Sequence, residues 1–336
     1  MDDVNSLSAF IEENYPIKVK EAQPLTDKTF KLTTDSKPYL LKFAVGCDEF
    51  IMKQLFAHKV LPTSVLPIYR TKSHDHNVAL GQQFAYLTDY ISVIPVPLEK
   101  QVSYYTDLLK KLHRETELTV DMSEDEIIRL HDKEYKQLQN CYGLLQSNME
   151  KFELKLDRSP YEWYYMMLYP TLYALLHKAN DELKTFYDLL KREKRVPMCL
   201  IHGDVNVANL LISEKANYLI NFERSNFSMA GDDMTDFLKA YHQVPGVPAT
   251  LLDYVKNEKS AILRHYFFYK SLCVDLQLLD EAFKNHSLIN IGMLNEIIAP
   301  HILAMEIHQE FHKKPPEAPK NQAFQDLLDA AKKNSK

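Results

Sequence analysis

One stretch constrains this chain more than any other. Between Leu200 and Phe237 the sequence reads LIHGDVNVANLLISEKANYLINFERSNFSMAGDDMTDF. A polar loop, His202-Gly203-Asp204 and then Asn209, lies between the apolar pairs Leu200-Ile201 and Leu210-Leu211. A short strand-like run then ends in Ile220-Asn221-Phe222-Glu223. Polar side chains so close to apolar runs hold a fixed geometry only when the runs are buried and the loop is left at the edge of a core. The rest of the chain has to build that core.

The periodicity on the two sides of the stretch differs. Residues 4–14 predict a short helix. Ile17 to Ala22, Thr29 to Thr33 and Tyr39 to Phe43 then alternate as strands, with Leu40 and Lys42 on one face of the last and Leu41 and Phe43 on the other. Cys47 to Val60 shifts to four-residue spacing and predicts a helix, and Ile68–Thr71 and Phe84–Ile91 predict two more strands. Val93 to Pro97 carries two prolines and reads as a hinge. Beyond it the pattern is helical: Leu98–Glu115, then a long helix opened by the capping box Ser123/Glu126, then another opened by Ser159-Pro160 with Glu162. Helices are expected around 232–243, 259–283 and 290–312, followed by a linker over 313–319 and a short terminal helix at Phe324–Leu328. The expectation is α+β: residues 1–92 form a small antiparallel β lobe with one helix on its sheet, and 93–336 form a large, mostly helical lobe carrying the HGD loop.

Composition narrows the partners. The net charge is -6 over 336 residues, and the one basic cluster, Lys191 to Arg195, is broken by Glu193, which argues against nucleic acid. Cys47, Cys141, Cys199 and Cys273 form no C-x-x-C pair, so reduced thiols are expected rather than zinc or disulfides. The acidic, polar N-terminus is not a secretory signal. The longest apolar run, Tyr164–Leu176, is too short to span a membrane. His308 and His312 would share a helix face, but two histidines without further ligands do not make a metal site.

Phosphoryl transfer from ATP needs a carboxylate to orient the acceptor hydroxyl, oxygen ligands for Mg²⁺, and a lysine against the phosphates. An aspartate with an asparagine five residues later suits the first two needs: Asp204 as base, Asn209 as a metal ligand. The strand before Asn221 would deliver a second ligand, with Glu223 beside it. Lys42 on a strand of the first lobe would reach the phosphates, with Glu49 of the next helix as its ion-pair partner.

These residues resemble a family pattern. His202-Gly203-Asp204 … Asn209 followed by Ile220-Asn221-Phe222-Glu223 resembles the H-G-D-x-x-x-x-N and I-D-[WF]-E motifs of the aminoglycoside phosphotransferase and choline kinase class, whose fold is two-lobed and protein-kinase-like. Leu112-His113 resembles its L-x-x-L-H segment, and Gly231–Phe237 its next segment, whose aspartate, here Asp236, braces the loop. The resemblance implies structural roles for His113, His202 and Asp236, and ATP and Mg²⁺ as cofactors of an active member. Within that class, YLLKF, EWYYMMLYP and the glycine-poor first lobe are similar to the CotS family of spore-coat-associated kinase-like proteins. That similarity implies a sporulation role, spore-coat proteins as partners, and a place in the cytoplasm of the sporulating cell or the forespore, associated with the coat.

The pattern breaks at three points. The class has aspartate where this chain has Asn221, and an amide brings an oxygen without the charge Mg²⁺ prefers. The expected phosphate loop, Gln23–Thr29, contains no glycine and carries Asp27. Lys42 and Glu49 lie close in sequence for a strand-to-helix ion pair. The expectation is therefore a kinase-like protein with impaired catalysis, with an active ATP- and Mg²⁺-dependent phosphotransferase for a small hydroxyl compound as the alternative.

Overall fold

The structure is a computed structural model that describes residues 4–45, 48–274 and 289–313. Helix α1 (Val4–Asn14) leads into a five-stranded sheet of β1 (Glu21–Thr26), β2 (Thr29–Thr33), β3 (Tyr39–Val45), β4 (Val78–Leu80) and β5 (Gln83–Asp89). The strand order is β1-β2-β3-β5-β4 and every pairing is antiparallel. Helix α2 (Glu49–Val60) lies between β3 and β4 in the chain. The period-2 alternation gives the sheet two faces. Tyr39 and Leu41 of β3 with Ala85 and Leu87 of β5 pack with Leu7 and Ile11 of α1. On the other face, Phe84 and Tyr86 pack against Phe50 of α2. Lys42 stands on that second face, directly opposite Tyr86 in register.

Strand positions differ from expectation most in two places. β1 begins at Glu21 rather than Ile17, and the fourth strand is Val78–Leu80. Ile68 forms only an isolated bridge to Thr88. Pro67 precedes it, and a proline has no N–H for a ladder.

The second lobe begins with α3 (Leu98–Thr116), whose buried Val102, Tyr105, Leu109 and Leu112 follow helical spacing. Then come β6 (Leu118–Asp121), α4 (Glu124–Glu153), α5 (Pro160–Glu193) and β7 (Arg195–Ile201). Both expected capping boxes form: the Ser123 and Ser159 hydroxyls accept from the backbone of Glu126 and Glu162, whose carboxylates accept in return. Pro170 lies inside α5 without ending it. After the polar loop, β8 (Leu210–Ile212) pairs with β9 (Asn217–Leu219), and β10 (Asn226–Ser228) pairs with β7, giving a β10-β7-β6 sheet. Helices α6 (Gly231–Tyr241), α7 (Val247–Asn257), α8 (Ala261–Leu272) and α9 (Ile289–His312) follow. The expected helix over 259–283 reaches only Leu272 among the described residues, and the linker and terminal helix expected after 313 lie outside them. No described helix is long and apolar enough to cross a membrane.

The lobes meet beside the polar loop. The Leu219 amide donates to Ser64 O at 2.8 Å, and Ile94 of the Pro-rich connection donates to Ile212 O at 2.9 Å. The small antiparallel lobe is thereby tied by its backbone to the β8–β9 hairpin, which leads two residues later to Asn221.

Candidate active site

The polar loop starts where β7 ends. Gly203 has φ +73°, and a Cβ there would meet Arg224 O at 2.2 Å, so only glycine lets the two backbone segments approach. The loop is held by Asp233 of α6, which is buried. Its Oδ2 accepts from His202 N at 2.7 Å and from His113 Nε2 at 2.8 Å, and its Oδ1 from Gly203 N at 2.9 Å. Burial pushes the Asp233 carboxyl upward, but His113 and these two amides together hold it below the ordinary carboxylate value. Asp236, the expected brace, is exposed on the same helix; the bracing carboxylate is Asp233, one turn earlier. His202 donates Nε2–H to Ile220 O at 2.8 Å, linking the loop to the end of β9. Tyr105 of α3 donates its hydroxyl to Asp204 O at 3.2 Å. With its backbone fixed in this way, Asp204 keeps a side chain 41% exposed toward the cleft, and Arg224 Nη1 stands 3.8 Å from it.

Asn209 closes a single 3₁₀ turn, Val207–Asn209, capped by Asn206. Its Nδ2 donates to Asp204 O at 2.9 Å. Its Oδ1, the atom expected to face a metal, accepts from Asn221 Nδ2 at 2.7 Å. Asn221 has φ +64°, in the left-handed region that asparagine tolerates better than most residues. Its Oδ1 accepts from Lys42 Nζ at 2.5 Å. An ammonium is only a donor, so the Asn221 oxygen must face Lys42 and its NH₂ must face Asn209. The result is one directed chain: Lys42 to Asn221 to Asn209 to the Asp204 backbone.

That chain does not fit Mg²⁺. A hard divalent cation takes oxygen ligands and favours carboxylates. Here both amide oxygens are engaged, one by an ammonium and one by an NH₂. The remaining carboxylate beside Lys42 is Glu223, 3.5 Å from Nζ and 39% exposed. No step through a metal follows from this arrangement.

Lys42 does not pair with Glu49. Glu49 is the exposed first residue of α2, and its place as partner is taken by Asn221 and Glu223. Burial lowers the pKa of Lys42, and Glu223 pulls it part of the way back. The Tyr86 ring lies 5.5 Å from Nζ, and its phenol is pushed well above the usual value by burial and then by Glu223. Helix α2 engages the loop through Lys53 instead, whose Nζ donates to Ser225 O at 2.7 Å. Phe56 also packs on Phe227 at 5.7 Å.

Lys42, Asp204, Asn221 and Glu223 line one cleft of about 570 Å³ between the lobes, with Leu40, Leu66, Leu211 and Ile220 among its apolar walls. Lys28, from the glycine-free Asp27-Lys28 turn between β1 and β2, also lines it. Sequence reasoning missed Asp233, Tyr105, Tyr86 and Lys53. The available signal for Asp233 was the run Gly231-Asp232-Asp233, in which any of several acids could have been the brace. The other three had no local signal.

The fold is the two-lobed, kinase-like fold of the aminoglycoside phosphotransferases. A spectinomycin phosphotransferase, solved with ADP and spectinomycin, superposes with a TM-score of 0.54 at 13% identity, covering 91% of this chain and 99% of that one. An aminoglycoside phosphotransferase from Alicyclobacillus acidocaldarius subsp. acidocaldarius gives 0.54 at 13% identity, covering 90% and 95%. No family model matches the sequence, and no curated protein matches it by sequence.

Proposed function

We propose that this protein is a kinase-like nucleotide-binding protein with impaired phosphoryl transfer, serving in sporulation in association with the spore coat. The observation that carries the impairment is the hydrogen bond from Asn221 Nδ2 to Asn209 Oδ1. It spends the asparagine oxygen on an amide rather than on a cation, and it puts a neutral side chain where charge neutralisation of phosphates by a bridging metal is centred. The cleft, Lys42 and Lys28 favour retained binding of a nucleotide's phosphates. The sporulation and coat role, with coat proteins as partners and the sporulating cytoplasm or forespore as location, rests on the similarity of YLLKF and EWYYMMLYP to the CotS family. The deciding experiment is calorimetry with ATP, with and without Mg²⁺, together with imaging of a fluorescent fusion through sporulation. The reading expects nucleotide binding that Mg²⁺ strengthens little, no phosphate transfer, and coat localisation. A large Mg²⁺ enhancement, or a diffuse signal in mature spores, overturns the corresponding half.

A second reading is favoured by the position of Glu223, a carboxylate within 3.5 Å of Lys42 in the same cleft as Asp204. In that reading the chain is an active ATP- and Mg²⁺-dependent phosphotransferase for a small hydroxyl compound, with Glu223 standing in for the missing aspartate. Product formation abolished by both Asp204→Ala and Glu223→Gln would establish it. Activity indifferent to Glu223 would remove it.

A further inference from the structure

Outside the cleft, three helices bring four side chains together. Glu182 of α5 is buried, with 4% of its surface exposed. Its Oε1 accepts from His308 Nε2 of α9 at 2.8 Å, and its Oε2 from His265 Nδ1 of α8 at 2.6 Å. His312, one turn beyond His308, lies beside it with ring centroids 4.4 Å apart and the rings tilted to one another. One ligand atom from each of Glu182, His308 and His312 lies within 4.8 Å of the other two. The two histidines on one helix face lacked a third ligand in the sequence; the fold supplies it from a residue 126 positions away.

We propose that Glu182, His308 and His312 form a binding site for a divalent transition-metal ion of the zinc class, which staples α9 to α5. Two imidazole nitrogens and one carboxylate oxygen are a donor set for a borderline cation rather than for Mg²⁺ or Ca²⁺. Ligand bonds of about 2.0–2.2 Å require Glu182 and His308, now hydrogen-bonded at 2.8 Å, to part slightly so that the ion stands between them, and His312 to swing toward it. His265 occupies the second carboxylate oxygen from outside, the arrangement that orients a ligating carboxylate. His312 is exposed and gives the ion its route in, leaving the fourth position for water. Phe268 and Phe311 pack against the two imidazoles with centroids at 4.7 and 5.0 Å. Two rearrangements accompany binding. His308 must carry its hydrogen on Nδ1, because Nε2 becomes a ligand. The Lys178 ammonium, 3.7 Å from Glu182 Oε1 and partly exposed, must turn to solvent.

The test is titration of the full chain, stripped with chelator, using Zn²⁺ by calorimetry and Co²⁺ by its visible d–d spectrum. His312→Ala is the first variant because an exposed side chain can be removed without a core cavity. His74→Ala, a surface histidine in the other lobe, is the control. The site predicts one ion per chain, affinity falling more than about tenfold in His312→Ala and unchanged in His74→Ala. Zn²⁺ at a hundred times its dissociation constant should raise Tm by roughly 4 °C, and this shift should be lost in His312→Ala. No saturable single site in the wild-type chain, or a site whose affinity His312→Ala leaves intact, overturns the proposal.

Discussion

The side-chain amide of Asn221 donates to Oδ1 of Asn209 across 2.7 Å, and its oxygen faces Lys42. One atom distinguishes this from the carboxylate of the resembling family, and that atom changes what the loop can hold. A carboxylate has no hydrogen to give to Asn209 and would repel its oxygen unless a cation stood between them. The amide bridges the gap by itself.

Asn221→Asp therefore releases Asn209 Oδ1 and adds one negative charge in a partly buried cleft. Affinity for ATP in the presence of Mg²⁺ should rise at least tenfold, about 1.4 kcal/mol, while affinity without Mg²⁺ stays level or falls, because the new charge faces the phosphates. Calorimetry on both proteins in both buffers checks this. An equal gain with and without Mg²⁺ would show that the amide is not what limits metal binding.

Gly203 and Gly81 separate two costs. Both have positive φ, but a Cβ at 81 meets nothing within 4 Å, whereas at 203 it meets the Arg224 carbonyl oxygen. Gly81→Ala should lose about 1 kcal/mol from conformation alone. Gly203→Ala should lose about 2–4 kcal/mol, because the Arg224 peptide must also move. Urea unfolding of the two variants gives the comparison directly.

What was legible in the sequence follows the range of the interaction. The caps Ser123/Glu126 and Ser159/Glu162 are three-residue contacts, and both could be read from the letters. Helix α1 and strand β2 fall where their periodicity put them. Strands β6 and β7 were missed: Leu118 pairs with Met198, and neither segment alternates strongly enough to announce a partner so far along the chain. Helix α7 was missed as well, because Pro245 and Pro248 punctuate its start and hide its spacing. In the site, the polar loop and Asn221 were visible because their residue types are rare in such a pattern. The partner of Lys42 was not, since the choice between Glu49 and the pair Asn221 and Glu223 depends on how two lobes close. Asp233 and Asp236 lie one turn apart, and only the packing of α6 decides which of them is buried.

That packing makes a paired prediction. Asp233→Asn keeps the size of the side chain but removes the charge that His113, His202 N and Gly203 N converge on. Breaking a buried network of this kind should cost about 3 kcal/mol or more. It should also loosen the loop, seen as faster hydrogen exchange at the amides of His202 and Gly203. Asp236→Asn on the exposed face should stay within about 0.5 kcal/mol. Equal effects of the two substitutions would mean that the brace is misassigned.

Glu182 gives the pH dependence. Burial alone would raise its pKa, but hydrogen bonds from His265 and His308 outweigh that and bring it from 4.5 to about 2. A carboxyl whose pKa is depressed by folding stabilises the protein at every pH above its unfolded value, and this stabilisation is lost as pH falls toward the folded value. The contribution is about 3 kcal/mol, present in full above about pH 4.5 and fading from there toward pH 2. Glu182→Gln removes the titration and leaves a neutral acceptor in place. In chelator, the wild-type protein should exceed the variant in unfolding free energy at pH 7, and the gap should shrink steadily between pH 4.5 and the lowest pH at which both remain folded. A gap that is constant with pH would mean that the carboxylate contributes shape and hydrogen bonds but no charge-dependent stability.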